Sequence, residues 1–214
     1  MRQTLVILTI IFLYSCDSNK TSSTQTDKEI QDSLNNNYSG FLQVNDEFTT
    51  YLDFFKKGEL PISMKGCLMT SDGLKKFDGK KFSKYNSDNS YAFRQMPTNG
   101  NYLATITLGL ADCFLPVLTT YKLTGEIIDK KTIAIGGCGS DCGFTCEEFM
   151  IIDTDYSIYT SDTISTYDCD SLGNEIPGTY EYYVAYRRGK LTENGKIILS
   201  DEKKKILNGR KNMP

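Results

Sequence analysis

The chain has 214 residues, of which 39% are hydrophobic and 24% charged, and its net charge is −3. That length suits one folded domain, and the mild acidity argues against a nucleic-acid partner, which needs a clustered basic surface. The sequence contains no histidine. This excludes Ser-His-Asp and Cys-His catalytic arrangements and removes the commonest neutral metal ligand. Carboxylate, Lys, Tyr or Cys chemistry remains open.

The first residues have the pattern of an export leader. Arg2 supplies a positive charge, and residues 5–13 form an apolar run broken by one threonine. The run is shorter than the roughly 20 residues that a membrane-spanning helix needs, and it fits the apolar region of a signal peptide. We therefore predict a signal peptide at residues 1–15, with Cys16 as the first residue of the mature chain.

The leader ends in Leu-Tyr-Ser-Cys at residues 13–16, and this ending resembles the lipobox of bacterial lipoproteins. The resemblance implies acylation of the Cys16 thiol, cleavage before Cys16, and acylation of the new α-amine. More than one acyl chain makes membrane anchoring stable. Residues 17–40 are almost entirely polar and cannot bury enough apolar surface to fold. We expect residues 16–40 to be a flexible, lipidated tether.

A helical pattern follows the tether. The apolar residues that recur at helical spacing are Val44, Phe48, Tyr51, Leu52 and Phe55. Asn45 can cap the start of this helix, residues 56–57 place two lysines in its last turn, and Gly58 ends it. The aromatic face should cover a sheet.

From about residue 61 the pattern is that of short strands separated by turns. The turn signals are Asn99-Gly100, Thr124-Gly125, Asp155-Tyr156, Gly173-Asn174 and Asn194-Gly195. In the run at residues 179–186, Tyr180, Tyr182, Val184 and Tyr186 would share one face of a strand. The pattern predicts a mainly β fold: an antiparallel meander of roughly seven to nine strands with the helix packed on it. We place one domain at residues 41–205 and a polar tail at residues 206–214.

Six cysteines remain once Cys16 is assigned to lipid, and their even number in an exported chain favours disulfides. They are Cys67, Cys113, Cys138, Cys142, Cys146 and Cys169. We expect Cys138 to pair with Cys146 across a glycine-rich loop. A structural zinc site, with Cys113 or Cys169 as fourth ligand, and free thiols are the alternatives. The C-x3-C-x3-C spacing lacks the C-x2-C knuckle that is usual in zinc sites.

Two pairs of aspartates could bind calcium or act as acid and base. They are Asp153 with Asp155 and Asp168 with Asp170, each in i,i+2 spacing beside a predicted turn. Turn formation explains all four without a ligand, because Asp readily accepts backbone hydrogen bonds there. A modest basic cluster consists of Lys75, Lys76, Lys80 and Lys81, and a solvated surface is its expected role.

The whole layout resembles that of small bacterial lipoproteins of undetermined activity. The shared features are the lipobox, the polar tether, a helix ending near Glu59-Leu60-Pro61, and turns such as residues 170–174. The resemblance implies a location in the bacterial cell envelope, a β-rich domain and lipid on Cys16.

We favour a non-catalytic, membrane-anchored domain that binds a small molecule or a protein, or that has a structural role in the envelope. No cofactor is expected. A carboxylate-dependent enzyme acting on envelope glycan is one alternative. An inhibitor or accessory subunit of an envelope complex is the other.

Overall fold

The protein is described from a computed structural model, and the description covers residues 46–68, 71–77, 80–86, 89–139 and 141–209. The predicted signal peptide and tether, including Cys16, lie outside these residues, as do Val44 and Asn45. The elements are α1 (Asp46–Leu52), β1 (Lys56–Lys57), β2 (Ile62–Lys65), β3 (Lys75–Lys76), β4 (Ser90–Met96), β5 (Leu103–Gly109), β6 (Leu115–Tyr121), β7 (Ile127–Thr132), β8 (Phe144–Ile152), β9 (Ser157–Thr166), β10 (Glu181–Leu191), β11 (Ile197–Leu199) and β12 (Lys203–Ile206).

The strands form two six-stranded sheets. The first sheet has the order β1-β4-β5-β6-β7, with β3 also paired to β4, and the second has the order β11-β10-β9-β8-β2, with β12 also paired to β10. All pairings are antiparallel except that of β1 with β4. The predicted mainly β class is confirmed.

An aliphatic core fills the space between the two sheets. Its members come from the inward positions of both sheets, and include Ala104, Ile106, Leu118, Met150, Ile152, Ile158 and Ile197. Each is at most 2% exposed. Burial of this kind stabilises a fold by about 25 cal/mol per Å² of apolar surface.

Polar contacts join the sheets where β7 meets β11. The backbone N–H of Ile197 donates to Asp129 Oδ2 (2.9 Å), and Lys196 Nζ donates to the carbonyl of Ile128 (3.0 Å). Thr120 Oγ1 donates to the carbonyl of Gly195 (2.7 Å) inside the core. These three hydrogen bonds pair one backbone N–H and two backbone carbonyls at the edge where the two sheets meet, and these groups would otherwise lack a partner.

A second cluster, made largely of aromatic residues, covers the other face of the first sheet. Its buried members are Phe48, Tyr51, Phe55, Phe77, Phe82, Tyr85, Ala92, Leu103 and Tyr121. The Tyr121 hydroxyl donates to the carbonyl of Tyr85 (3.0 Å) and lies 2.9 Å from the Tyr51 hydroxyl. Burial raises the pKa of both phenols, so these groups stay protonated and able to donate. Both faces of the first sheet are therefore covered.

Three details of the predicted architecture are wrong. The described residues form twelve strands rather than seven to nine. The helix ends at Leu52 rather than running to Lys57, because the next residues turn and Lys56–Lys57 pairs in parallel with β4. The strands form two sheets rather than one meander, because residues 58–61 carry the chain from the first sheet to the second and a glycine-rich loop after β7 does so again. Strand β12 ends at Ile206, one residue inside the predicted tail.

We predict that Gly125→Ala destabilises the domain by about 2–4 kcal/mol, because Gly125 has φ +89° and an added Cβ would lie 2.8 Å from Phe48 Cγ on α1. Gly173→Ala is the matched control. Gly173 has φ +85° but no atom within 4 Å of an added Cβ, so only backbone strain of about 1–2 kcal/mol is expected. Urea unfolding measures both, and equal losses would contradict the contact with α1.

Candidate functional site

Three disulfides join the six cysteines that remain after Cys16. They are Cys67–Cys113, Cys138–Cys146 and Cys142–Cys169. The disulfide prediction and the expected Cys138–Cys146 pair are thus confirmed. The alternative of a zinc site with Cys113 or Cys169 as the fourth ligand is wrong, because each of these cysteines forms a disulfide with another cysteine. The last two bridges tie the loop before β8 to the sheet and to the loop after β9.

Two acidic residues face the core from the neighbouring strands β8 and β9. Glu148 lies directly opposite Asp162 in the register of these strands. Residues directly opposite on antiparallel strands have Cβ atoms about 4.5–5.5 Å apart. Among the described residues no Lys or Arg forms an ion pair with either carboxylate. The pair therefore lacks the cation that buried carboxylates usually have.

Asp162 holds the loop that leads from the first sheet to Cys138. Its side chain is buried, with the residue 1% exposed, and Oδ2 accepts the backbone N–H of Gly137 at 2.8 Å. Burial raises the pKa of this carboxyl, and the backbone N–H groups of Gly137 and Gly136 oppose that rise. Asp162 thus has a structural role as a capping acceptor for residues 136–137.

Glu148 is the less satisfied member of the pair. Its Oε1 atom is buried and has no hydrogen-bond partner among the described residues. Burial, together with the charge of Asp162, raises the pKa of Glu148 to about 7. The proton on Glu148 therefore titrates near neutral pH, where an ordinary Glu is already ionised.

The space beside these carboxylates is small. A cavity of about 10 Å³ is lined by residues that include Met64, Pro116, Glu148, Thr160 and Asp162. That volume holds about one water molecule. A sugar cannot enter it, so this carboxylate pair does not provide the deep cleft that a glycan-cleaving enzyme needs.

The opposite face of the same strands points away from the core and carries aromatic and basic side chains. One row crosses five strands in register: Lys65 on β2, Phe149 on β8, Ser161 on β9, Tyr186 on β10 and Lys203 on β12. Directly opposite residues share a face. The next row places Tyr159 opposite Arg188. We call Lys65, Phe149, Tyr159, Tyr186, Arg188 and Lys203 the aromatic–basic face.

Contacts within the aromatic–basic face order its side chains. The ring of Tyr159 lies 6.2 Å from that of Phe149 and 6.2 Å from that of Tyr186, centroid to centroid. The Arg188 guanidinium lies 5.8 Å from the centre of the Tyr159 ring. The three rings are half-buried and cover Ser161, which is 5% exposed.

Positive charge dominates this side of the second sheet. The outward positions of its strands carry the cations Lys65, Arg188, Lys190, Lys203 and Lys205 against one carboxylate, Glu147. Glu147 lies 3.3 Å from Lys65 Nζ. Of the four residues predicted from the sequence to share one strand face, Tyr182, Val184 and Tyr186 lie on this surface. Tyr180 precedes the strand, and its hydroxyl accepts a hydrogen bond from Ser165 Oγ at 3.2 Å.

The aspartate pairs singled out in the sequence serve their turns. Asp153 Oδ1 accepts the N–H of Thr154 (2.7 Å), and Asp155 Oδ1 accepts that of Ser157 (2.9 Å). Hydrogen bonds from Ser157 lower the pKa of Asp155.

The second aspartate pair is also part of a turn. Asp170 Oδ1 accepts the backbone N–H of Leu172 (2.8 Å) and of Asn174 (2.9 Å). The bond from Asn174 makes the largest contribution to lowering the pKa of Asp170. All four aspartates are exposed, and the carboxylates of Asp153, Asp155 and Asp170 accept backbone hydrogen bonds of their own turns.

The basic cluster of the sequence lies beside the aromatic cluster of the first sheet rather than on the aromatic–basic face. Lys75 Nζ is 5.6 Å from the centre of the Phe54 ring, and Lys81 Nζ is 5.2 Å from that of Phe82. Lys75, Lys76 and Lys81 are exposed, consistent with a solvated surface whose ammonium groups contact aromatic rings.

Sequence reasoning missed the Glu148–Asp162 pair. Asp162 alternates in phase with Ile158 and Ile164 along β9, and Glu148 alternates with Met150 and Ile152 along β8. Those alternations place a carboxylate at an inward position of each strand. Their juxtaposition depends on the β8–β9 register, which the alternation alone does not determine.

No protein-family model, curated protein or solved structure matches this chain.

We predict that Glu148→Gln stabilises the protein relative to the wild type, and that this advantage is larger near pH 8 than near pH 4.5. The folded-state pKa of Glu148, about 7, is raised above the unfolded value of about 4.5. Stability from the neutral carboxyl is therefore fully present below about pH 4.5 and is lost as pH rises through about 7. Glutamine keeps the neutral form, so its advantage should grow by about 1–2 kcal/mol across this range.

Urea unfolding at about pH 4.5, 6 and 8 measures this effect. Glu147→Gln is the control, since Glu147 is the exposed neighbour that contacts Lys65. An advantage of Glu148→Gln that does not change with pH, or that Glu147→Gln reproduces, would show that Glu148 does not titrate as described.

Proposed function

We propose that this chain is a lipid-anchored, non-catalytic binding domain of a bacterial cell envelope, and that it binds an acidic glycan through the aromatic–basic face. The observation that carries the proposal is the row in which Lys65, Phe149, Ser161, Tyr186 and Lys203 align across five strands. Neighbouring strands lie about 4.8 Å apart, so this row spans about 19 Å. A surface of that length suits a short oligomer better than one small molecule.

The aromatic rings supply the apolar part of the proposed contact. The face of an aromatic ring is electron-rich, and the C–H bonds of a sugar ring present weakly positive hydrogens to it. Phe149, Tyr159 and Tyr186 are half-buried within the sheet surface. Their backbones are held by paired strands, so little conformational entropy is lost when a ligand binds to them.

The cations supply the charge preference. Lys65 and Lys203 stand at the two ends of the row, and Arg188 lies beside its centre. Carboxylate or phosphate groups on a glycan can pair with these side chains while its sugar rings contact the aromatic centre. Such exposed pairs weaken as salt increases.

The geometry favours a glycan over a peptide or a nucleic acid. A peptide that adds a strand needs an unpaired sheet edge, whereas this surface is the face of strands whose neighbours already pair with them. Nucleic-acid surfaces are typically more basic than a chain of net charge −3.

The anchor is proposed from the sequence. The lipobox-like residues 13–16 and the polar stretch to residue 40 would place the domain at a membrane surface on a tether. No helix in the described part of the chain is long and apolar enough to span a bilayer. In this proposal, lipid on Cys16 holds the domain at the membrane, and two or more acyl chains give stable attachment.

We predict that the full chain, purified in detergent, binds polygalacturonate more tightly than neutral dextran. Tyr186→Ala should weaken binding about tenfold, equivalent to about 1.4 kcal/mol, because it removes one ring of the face. Isothermal titration calorimetry at low salt measures these affinities.

The charge contribution has a matched test in two double variants. Lys65→Gln/Lys203→Gln removes the ends of the row and should weaken binding about tenfold at low salt, with a smaller loss at high salt. Lys75→Gln/Lys76→Gln removes the same charge from β3 of the first sheet and should bind as the wild type does. Equal binding of dextran, tighter binding of polyglutamate or single-stranded DNA, or no effect of the row variants would refute the glycan proposal.

The anchor is tested separately from the ligand. We predict that the wild-type chain incorporates labelled fatty acid in bacterial cells and sediments with membranes, and that Cys16→Ser does neither, because the acceptor thiol is gone. Membrane fractionation with a fatty-acid label measures both. Membrane association of Cys16→Ser equal to that of the wild type, or absence of label from the wild type, would contradict the anchor.

A further inference from the structure

The loop after β9 exposes two large apolar side chains. Leu172 is 84% exposed and Ile176 is 41% exposed, and both belong to residues 168–179, which we call the Leu172 loop. Single exposed leucines are common on protein surfaces. Leu172 differs from most of them because it is a central residue of a turn that is held in one conformation. A side chain exposed to this extent occupies no pocket of its own chain.

A disulfide and hydrogen bonds hold the Leu172 loop. The Cys142–Cys169 disulfide ties its start to the loop before β8. Cys169 also forms a β-bridge with Glu175. Asp170 Oδ1 accepts two backbone N–H groups of the turn, at 2.8 and 2.9 Å. The loop is therefore ordered before a partner binds, and its contact with a partner costs little conformational entropy.

The Leu172 loop is acidic. Its charged residues are Asp168, Asp170 and Glu175, and it contains no Lys or Arg. Hydrogen bonds from Asn174 lower the pKa of Asp170, so its carboxylate keeps its charge while it holds the turn. An apolar side chain among carboxylates is complementary to an apolar pocket that has lysines around it.

A pocket of this kind lies on the first sheet. Its volume is about 170 Å³, and its walls come from the residues after α1, from β3 and the residues before it, and from β4. Its apolar lining consists of Phe54, Phe55, Leu74, Ala92 and Phe93. An apolar cavity of about 150 Å³ accommodates a six-carbon ring, so this pocket accommodates the four-carbon side chain of a leucine.

Two lysines complete the lining of this pocket. Lys56 and Lys75 lie there together with one carboxylate, that of Asp53, so cations outnumber anions. Lys75 Nζ donates a hydrogen bond to the Asp53 carbonyl (3.4 Å) and lies 5.6 Å from the centre of the Phe54 ring. These contacts keep its ammonium group beside the apolar lining. We call the five apolar residues and the two lysines the lysine-rimmed pocket.

We propose that the Leu172 loop of one copy of this chain docks into the lysine-rimmed pocket of a second copy. Leu172 fills the apolar part of the pocket, and the loop carboxylates lie near Lys56 and Lys75. Each copy carries both surfaces, so one contact uses the loop of one copy and the pocket of the next. The contact is small, so the association is weak and depends on concentration. It requires no glycan and is independent of the function proposed above.

Sedimentation velocity of the full chain measures this association without glycan, in density-matched detergent with micelles in excess over chains. The wild type should sediment faster as its concentration rises. Leu172→Ser should weaken self-association about tenfold, because the apolar side chain is lost from the contact. Leu110→Ser is the matched control, since Leu110 is 51% exposed after β5, and it should associate as the wild type does.

The pocket is tested by charge reversal and by mixing variants. Lys56→Glu should weaken self-association about fivefold, the upper range for an exposed ion pair, whereas Lys131→Glu on β7 should have no effect. An equimolar mixture of Leu172→Ser and Lys56→Glu should associate more than either variant alone. In that mixture the intact loop of the Lys56→Glu chain meets the intact pocket of the Leu172→Ser chain.

The mixture also controls for folding, because two misfolded variants would not restore each other's association. Far-ultraviolet circular dichroism checks each variant directly. A wild type that stays monomeric up to about 1 mM, Leu172→Ser that associates as the wild type does, or a mixture no more associated than its components would overturn the proposal. An equal loss in Leu110→Ser or Lys131→Glu would also overturn it.

Discussion

The pairing of β8 with β9 is the contact on which the rest of the molecule depends. Strand side chains alternate between faces, so this one register directs Glu148 and Asp162 to the core and Phe149 and Tyr159 to the outside. A slip of one residue would exchange the two faces. The Cys142–Cys169 bridge, which joins the residue stretch before β8 to the stretch after β9, and the turn at residues 153–156 hold the two ends of this hairpin in register.

The two sheets differ in how their faces are covered. The first sheet has the aliphatic core on one side and the aromatic cluster, with α1, on the other. The second sheet shares the aliphatic core, but its outer side carries half-buried rings among exposed cations. Sheets with an open face commonly place polar residues there. Aromatic rings at those positions lose hydrophobic stabilisation unless something covers them, and this asymmetry is what makes the aromatic–basic face a binding surface in our proposal.

The sequence predicted local features better than the way they assemble. Asn99-Gly100, Thr124-Gly125 and Asn194-Gly195 form turns because only glycine adopts a positive φ without strain, and Gly100, Gly125 and Gly195 all do so. Strand periodicity placed Tyr182, Val184 and Tyr186 on one face. It could not show that other strands of the sheet would add Phe149, Tyr159, Lys65 and Lys203, because alternation within a strand carries no information about its neighbours. The same limit hid the division into two sheets and the Glu148–Asp162 pair.

Hydroxyl-radical footprinting of the full chain, with and without polygalacturonate, tests the binding surface most directly. Oxidation of Phe149, Tyr159 and Tyr186 should fall when the glycan is bound, whereas Leu110 (51% exposed) and Leu172 (84% exposed) should be oxidised equally in both states. Unchanged oxidation of the three rings under saturating glycan, or protection confined to the first sheet, would show that the aromatic–basic face is not where the ligand binds.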